Sequence, residues 1–140
     1  MFNRLALIGC GLMGGSLALA MQRACLVRHV VAYSPSEGTL QAALQAGVIH
    51  EAAHSPADAA AHADLVVVAV PVAATETVLR SIADSVSAQT IVMDVGSTKQ
   101  NVIEAAEATL GALAGQFVPA HPIAGRELNG VEAALADLYV

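Results

Sequence analysis

The sequence contains no tryptophan and only four other aromatic rings, Phe2, Tyr33, Phe117 and Tyr139. Rings so few and so scattered cannot form the stacking platform on which single-stranded nucleic acids are held. Positive charge is scarce as well. Six Lys and Arg stand against twelve Asp and Glu, a formal net charge of −6, which excludes a sequence-independent grip on nucleic-acid phosphates. The two cysteines, Cys10 and Cys25, lack metal-ligand spacing and read as reduced thiols of a cytoplasmic protein. The five histidines form no H-E-x-x-H or related cluster, so no metal is expected. The longest apolar run, 65–74, is interrupted by Pro71 and too short to span a bilayer, so no membrane partner is expected. A strand-like run already begins at Arg4, so no signal peptide is expected.

Apolar residues are abundant, at 56% against the usual ~45–50%. A parallel sheet covered on both faces needs that composition, because its strands are buried on both sides. A chain of 140 residues should form one domain with one core. Strand-like and helix-like segments alternate along it. Residues 4–8 read as a strand and 12–23 as a helix, followed by a β-branched strand at 30–33. Ser36 can cap a helix over 37–46 that stops at Gly47, and Ser55-Pro56 opens a short helix to about residue 61. A buried strand over 65–70, a helix over 72–84 and a strand over 91–94 come next. The helix over 99–110 has Val102, Ile103, Ala106 and Leu110 on one face. A short strand at 117–120 and a helix over 130–139 complete the pattern. Strands separated by helices imply right-handed crossovers. The expected fold is therefore α/β, a Rossmann-type doubly wound and mostly parallel sheet with helices on both faces.

Residues 9–16 read Gly-Cys-Gly-Leu-Met-Gly-Gly-Ser, so Gly9, Gly11 and Gly14 fit the spacing G-x-G-x-x-G between a strand and a helix. Gly9 allows the tight turn, Gly11 lets the backbone approach a pyrophosphate, and Gly14 lets the helix pack close to the sheet. The first helical amides, at Leu12 and Met13, then point at the phosphates. An ordinary strand-turn-helix is the competing reading, and the βαβ context weighs against it.

Ligands of such sheets bind beyond the carboxyl ends of the strands. Ser34 occupies the position, about 20 residues beyond the loop, where an acid usually holds the ribose 2′-hydroxyl of NAD. Without that carboxylate, NADP is permitted but not required. Val70-Pro71 forms an apolar lip suited to a flat ring, or simply a strand ending at proline. Ser97 and Thr98 are natural caps for the next helix and can also face a ligand. His121 stands at a strand end before Pro122, placed to act as a general base on a substrate hydroxyl. His29, His50, His54 and His62 lie away from that edge and read as surface residues.

Three segments together, residues 9–16, Asp-Val-Gly-Ser-Thr-Lys at 94–99 and His-Pro-Ile-Ala-Gly at 121–125, resemble the prephenate and arogenate dehydrogenases of tyrosine biosynthesis. The resemblance covers essentially the whole chain, and the second and third segments are its specific part. It implies NAD or NADP as cofactor and prephenate or arogenate as substrate. It implies hydride transfer to the nicotinamide with loss of carbon dioxide. It assigns His121 as the catalytic histidine on the substrate hydroxyl, Ser97 as the serine near histidine, nicotinamide and substrate, and Glu127 as an acid at the mouth of the site. Gly9, Gly11, Leu12, Met13, Gly14, Ser34, Val70, Pro71 and Ser97 would hold the cofactor. Ser34 departs from NAD-dependent members, which carry an acid there, and the role of Arg126 is open. The family continues into a helical C-terminal domain with dimer contacts and a substrate-binding arginine. Residues 1–140 are thus expected to be the nucleotide-binding part of a longer, homodimeric enzyme, inactive alone. The alternatives are another Rossmann reductase of the β-hydroxyacid dehydrogenase type, and a non-catalytic nucleotide-sensing module. The His121 segment does not suit the first, and the second has no need of Ser97, His121 and Glu127 together.

Overall fold

The computed structural model describes residues 1–96, 99–120 and 130–138. Six parallel strands form one sheet in the order β3-β2-β1-β4-β5-β6. They are β1 (Phe2–Ile8), β2 (Val27–Tyr33), β3 (Glu51–Ala52), β4 (Leu65–Val68), β5 (Ile91–Asp94) and β6 (Phe117–Pro119). The helices are α1 (Leu12–Arg23), α2 (Glu37–Gln45), α3 (Pro56–Ala60), α4 (Val72–Ile82) and α5 (Lys99–Leu110). The chain works outward from β1 to β3, then returns to the far side of β1 to lay down β4, β5 and β6.

Strand alternation divides the core into two layers. Ala6, Ile8, Val31, Val66, Val68 and Val92 face α3, α4 and α5, meeting Ala59, Leu79, Ile82 and Ala106. Leu5, Leu7, Val30, Ala32 and Val67 face α1 and α2, meeting Ala18, Met21, Leu40 and Ala43. Burial on both sides explains why β4 is an unbroken run, Leu-Val-Val-Val.

Capping is local and legible. Ser36 Oγ accepts from Thr39 N–H at 3.2 Å, and Ser55 Oγ accepts from Asp58 N–H at 3.0 Å. Gly47, at φ +72°, follows the end of α2.

Several elements differ from the sequence pattern. β2 begins earlier, at Val27, because Phe2 and Arg4 pair with it along the full length of β1. β3 has only two rungs, Val31 with Glu51 and Ala32 with Ala52, too few to produce a periodicity. β4 ends at Val68 rather than residue 70. Ala69 N–H still donates to Ile8 O, but the chain then turns through Pro71 into α4, which ends at Ile82. On α5 the buried face is Val102, Ala105, Ala106 and Leu110, with Ile103 to one side. Of the expected helix over 130–139, the described residues 130–138 form only a single 3-10 turn, Val131–Ala133, entered from Gly130 at φ +90°. Tertiary contacts take this segment instead. Val131 is buried in the α1–α2 layer, Leu135 N–H donates to the buried Ser16 Oγ at 2.9 Å, and Asp137 pairs with Arg23.

Candidate functional site

The carboxyl ends of β1, β2 and β4 meet where the direction of sheet growth reverses. Ile8 stands opposite Tyr33 on one side and Val68 on the other. Gly9 N–H donates to Tyr33 O at 2.9 Å, which ties the turn after β1 to the end of β2. Gly9 itself has φ +94°, and a Cβ there would stand 2.3 Å from Ala69 O. At Gly14 a Cβ would meet Gly9 O at 2.6 Å and Leu7 Cδ1 at 2.9 Å, so α1 lies against the sheet as closely as its backbone allows. At Gly11 a Cβ would meet nothing within 4 Å. The turn therefore presses inward at Gly9 and Gly14 and opens outward at Gly11. Gly11 is also the N-cap of α1 and offers no side chain to its first turn, where Leu12 is buried and Met13 half-buried.

Beside the turn lies a cavity of about 430 Å³. Gly9, Cys10 and Gly11 form its floor, Tyr33, Ser34, Pro35 and Thr39 one wall, and Val70, Pro71, Ala74 and Val78 the other. Burial pushes the Cys10 thiol up to about 11, so the floor carries no charge at neutral pH. Ser34 Oγ accepts from Ser36 N–H at 3.2 Å, which fixes the hydroxyl at the rim. Gly9, Gly11, Ser34, Val70 and Pro71 thus line one space, with Leu12, Met13 and Gly14 in the helical turns above it. Ser97, His121 and Glu127 lie outside the described residues, as does Arg126.

Two features were missed in the sequence. His54, read there as lying away from the site, follows β3 and shares a second cavity with Ser34, Glu37 and Gln41. Its position depends on β3, which has no pattern of its own. The other is Asp94, buried at the end of β5 and paired with Lys99 at 2.6 Å. A strand-ending acid five residues before a lysine was the available signal. Of the remaining histidines, His50 and His62 are exposed, while His29 lies within β2, stacked on His50 and 3.0 Å from Glu51 Oε2. That contact holds the Glu51 carboxyl below its ordinary value. Among the described residues no group of three or more His, Cys, Asp or Glu could hold a metal ion, and no helix is long and apolar enough to cross a membrane.

A parallel sheet in this order, with a glycine turn and a helix N-terminus at its switch point, defines a dinucleotide-binding domain of the Rossmann type. Comparison with known proteins narrows the class. The family described as prephenate dehydrogenase, nucleotide-binding domain, matches residues 17–140, and the chain belongs to it. It is 36% identical over 140 residues to a prephenate dehydrogenase of Bacillus subtilis, covering 99% of this chain and 38% of that protein. It is 35% identical over 138 residues to a cyclohexadienyl dehydrogenase of Zymomonas mobilis, covering 99% of this chain and 46% of that protein. The crystal structure of prephenate dehydrogenase from A. aeolicus, in complex with hydroxyphenyl propionate and NAD+, superimposes with a TM-score of 0.90 at 30% identity, covering 99% of this chain and 48% of that one. The chain thus spans less than half the length of the curated relatives it matches.

Proposed function

We propose that this chain is the nucleotide-binding part of an NAD(P)-dependent dehydrogenase that oxidatively decarboxylates prephenate or arogenate, giving 4-hydroxyphenylpyruvate or tyrosine. The observation that carries the reading is the open space above Gly11 at the switch point, in a chain of this family. The residues suit a dinucleotide. The space over Gly11 admits phosphates against the first turn of α1, and the uncharged wall of Val70 and Pro71 admits a flat ring. When bound, the nicotinamide supplies the hydride acceptor.

The chain's own residues then have separate tasks. Gly11, Leu12 and Met13 receive the pyrophosphate, and Ser34 the adenosine ribose. With a hydroxyl rather than a carboxylate at Ser34, a ribose 2′-phosphate meets no acid at that position, the nearest being Glu37 in the neighbouring cavity, so NADP is permitted beside NAD. In the reacting part His121 takes the proton of the substrate hydroxyl as the carbon bearing it is oxidised. The ring carboxylate departs as carbon dioxide and leaves its electron pair in the ring, which becomes aromatic. The oxygen on the ring, left as a phenolate, takes the proton back from His121 and finishes as the phenol. Ser97 steadies the hydroxyl and His121, and Glu127 stands at the mouth of the site. The complete enzyme is a homodimer located in the cytoplasm.

The test is turnover of the full-length protein with prephenate and with arogenate, each with NAD and with NADP. Reduction of cofactor with release of carbon dioxide is expected from at least one pair, and no turnover from any pair refutes the reading. In an active enzyme, His121→Asn should lower kcat by ~10²–10⁴-fold, with KM little changed. A loss under about threefold, well short of that range, would assign His121 to structure.

A further inference from the structure

Asp94 ends β5 with its side chain 2% exposed, and three donors converge on its carboxylate. Gly96 N–H donates to Oδ2 at 2.9 Å, Lys99 Nζ donates to Oδ2 at 2.6 Å, and Ala120 N–H donates to Oδ1 at 3.2 Å. The same Lys99 ammonium also donates to the carbonyl oxygen of Ala120. Both main-chain polar groups of Ala120 are therefore held by one ion pair that belongs to the neighbouring strand and the helix after it.

Strand pairing does not require this arrangement. The ladder between β5 and β6 already joins Val92 to Phe117, Met93 to Val118 and Asp94 to Pro119. The pair is weak evidence of added stability, because burying the Asp94 carboxylate costs solvation that its pairing with the part-exposed Lys99 offsets. What the pair adds is directional. Ala120 lies one residue beyond the last rung of the ladder, and the next residue in the chain is His121.

We propose that Asp94 and Lys99 are positioning residues. Together they clamp the Ala120 peptide groups, and so set the point and direction from which the chain leaves β6 toward His121. The inference rests on the proposed role of His121 in the proton step. It assigns Lys99 to the protein's own backbone rather than to a ligand. Neither side chain needs to touch substrate, and each acts through one residue of main chain.

The test uses the full-length enzyme and three variants. Lys99→Met removes the charged donor at similar length. Asp94→Asn/Lys99→Met also removes the buried charge that the single change would leave unpaired, which keeps a folded protein available. Lys99→Arg keeps a cationic donor. Nucleotide affinity by calorimetry, kcat and KM, and hydrogen exchange at the Ala120 amide are measured for each. The expected result for both Met variants is faster exchange at Ala120, nucleotide affinity within about twofold of the parent, and kcat lowered by roughly 10–100-fold, the range that small misplacements cost. Lys99→Arg should recover most of that loss. Unchanged exchange at Ala120, or kcat within twofold of the parent despite faster exchange, overturns the proposal. So does a rise in KM at unchanged kcat, which would make Lys99 a substrate contact. If the unsubstituted enzyme oxidises neither acid, the functional reading fails, and Ala120 exchange still decides the clamp.

Discussion

Gly11 and Cys10 are neighbours with opposite surroundings, and each supports a prediction. A side chain at Gly11 would enter open space, and its backbone is extended at φ −91°, which any residue adopts. Gly11→Leu should therefore fold normally and lose nucleotide binding, because the new side chain occupies the phosphate position. Calorimetric titration with NAD and with NADP on a variant of unchanged melting temperature checks this, and retained affinity would move the site elsewhere. Cys10 is buried, and its proton is held to about 11 against an ordinary 9.0. Between roughly pH 9 and 11 the unfolded chain binds fewer protons than the folded one, so stability falls as pH rises through that window and is unaffected below it. Denaturation midpoints measured from pH 8 upward should decline beyond pH 9, and Cys10→Ala should flatten the decline. At this scale the sequence was legible where backbone geometry is at stake. Gly9, Gly11 and Gly14 carry their reasons in their spacing. His54 and Asp94 were harder to read: His54 comes to line a cavity with Ser34 only through the two-residue strand β3, and Asp94 takes its hydrogen bond from the distant amide of Ala120.

The unit β1–turn–α1 is held by its closest approach. A methyl group at Gly14 would press on the backbone oxygen of Gly9 and on Ala69 Cβ, neither of which can give way without moving main chain, and on the tip of the Leu7 side chain. Gly14→Ala should accordingly destabilise the domain by about 1–3 kcal/mol, the usual cost of overpacking. It should also weaken nucleotide binding by displacing Gly9, and chemical denaturation in parallel with calorimetry reads both effects. A stability within 0.5 kcal/mol of the parent, no more than an ordinary surface change produces, would show that α1 slides freely. Elements with strong periodicity or punctuation were recovered from sequence. α5 and β5 have the expected bounds, and Ser36 and Ser55 cap where their positions indicate. β3 was missed because two residues cannot alternate. The expected helix over 130–139 failed for a different reason. The segment places Val131 in the core and the Leu135 amide on Ser16, and local propensity yields to those contacts.

For the molecule as a whole, the doubly wound order followed from the alternation of strands and helices, whereas the length of the relatives was visible only through resemblance. The 140-residue chain contains the glycine turn and the wall opposite it, and it covers 48% of the A. aeolicus structure. We predict that this chain alone binds nicotinamide dinucleotide and turns over neither prephenate nor arogenate, since orientation of the two reactants supplies about 7–11 kcal/mol of a barrier reduction. Cofactor reduction at saturating substrate, compared with the full-length enzyme, is the measurement, and comparable rates would refute it. A last consequence concerns synthesis. Ser16 and Leu135 are joined by a hydrogen bond across 119 residues of chain. A ribosome adds about 5–20 residues per second, so roughly 6–24 s separate the birth of the hydroxyl from that of its partner. Until then the flank of α1 at Gly15 lacks the cover that Val131 and Ala134 later provide. The helix that follows the glycine turn is therefore made early and stays uncovered on this flank until residues 131–135 have been added.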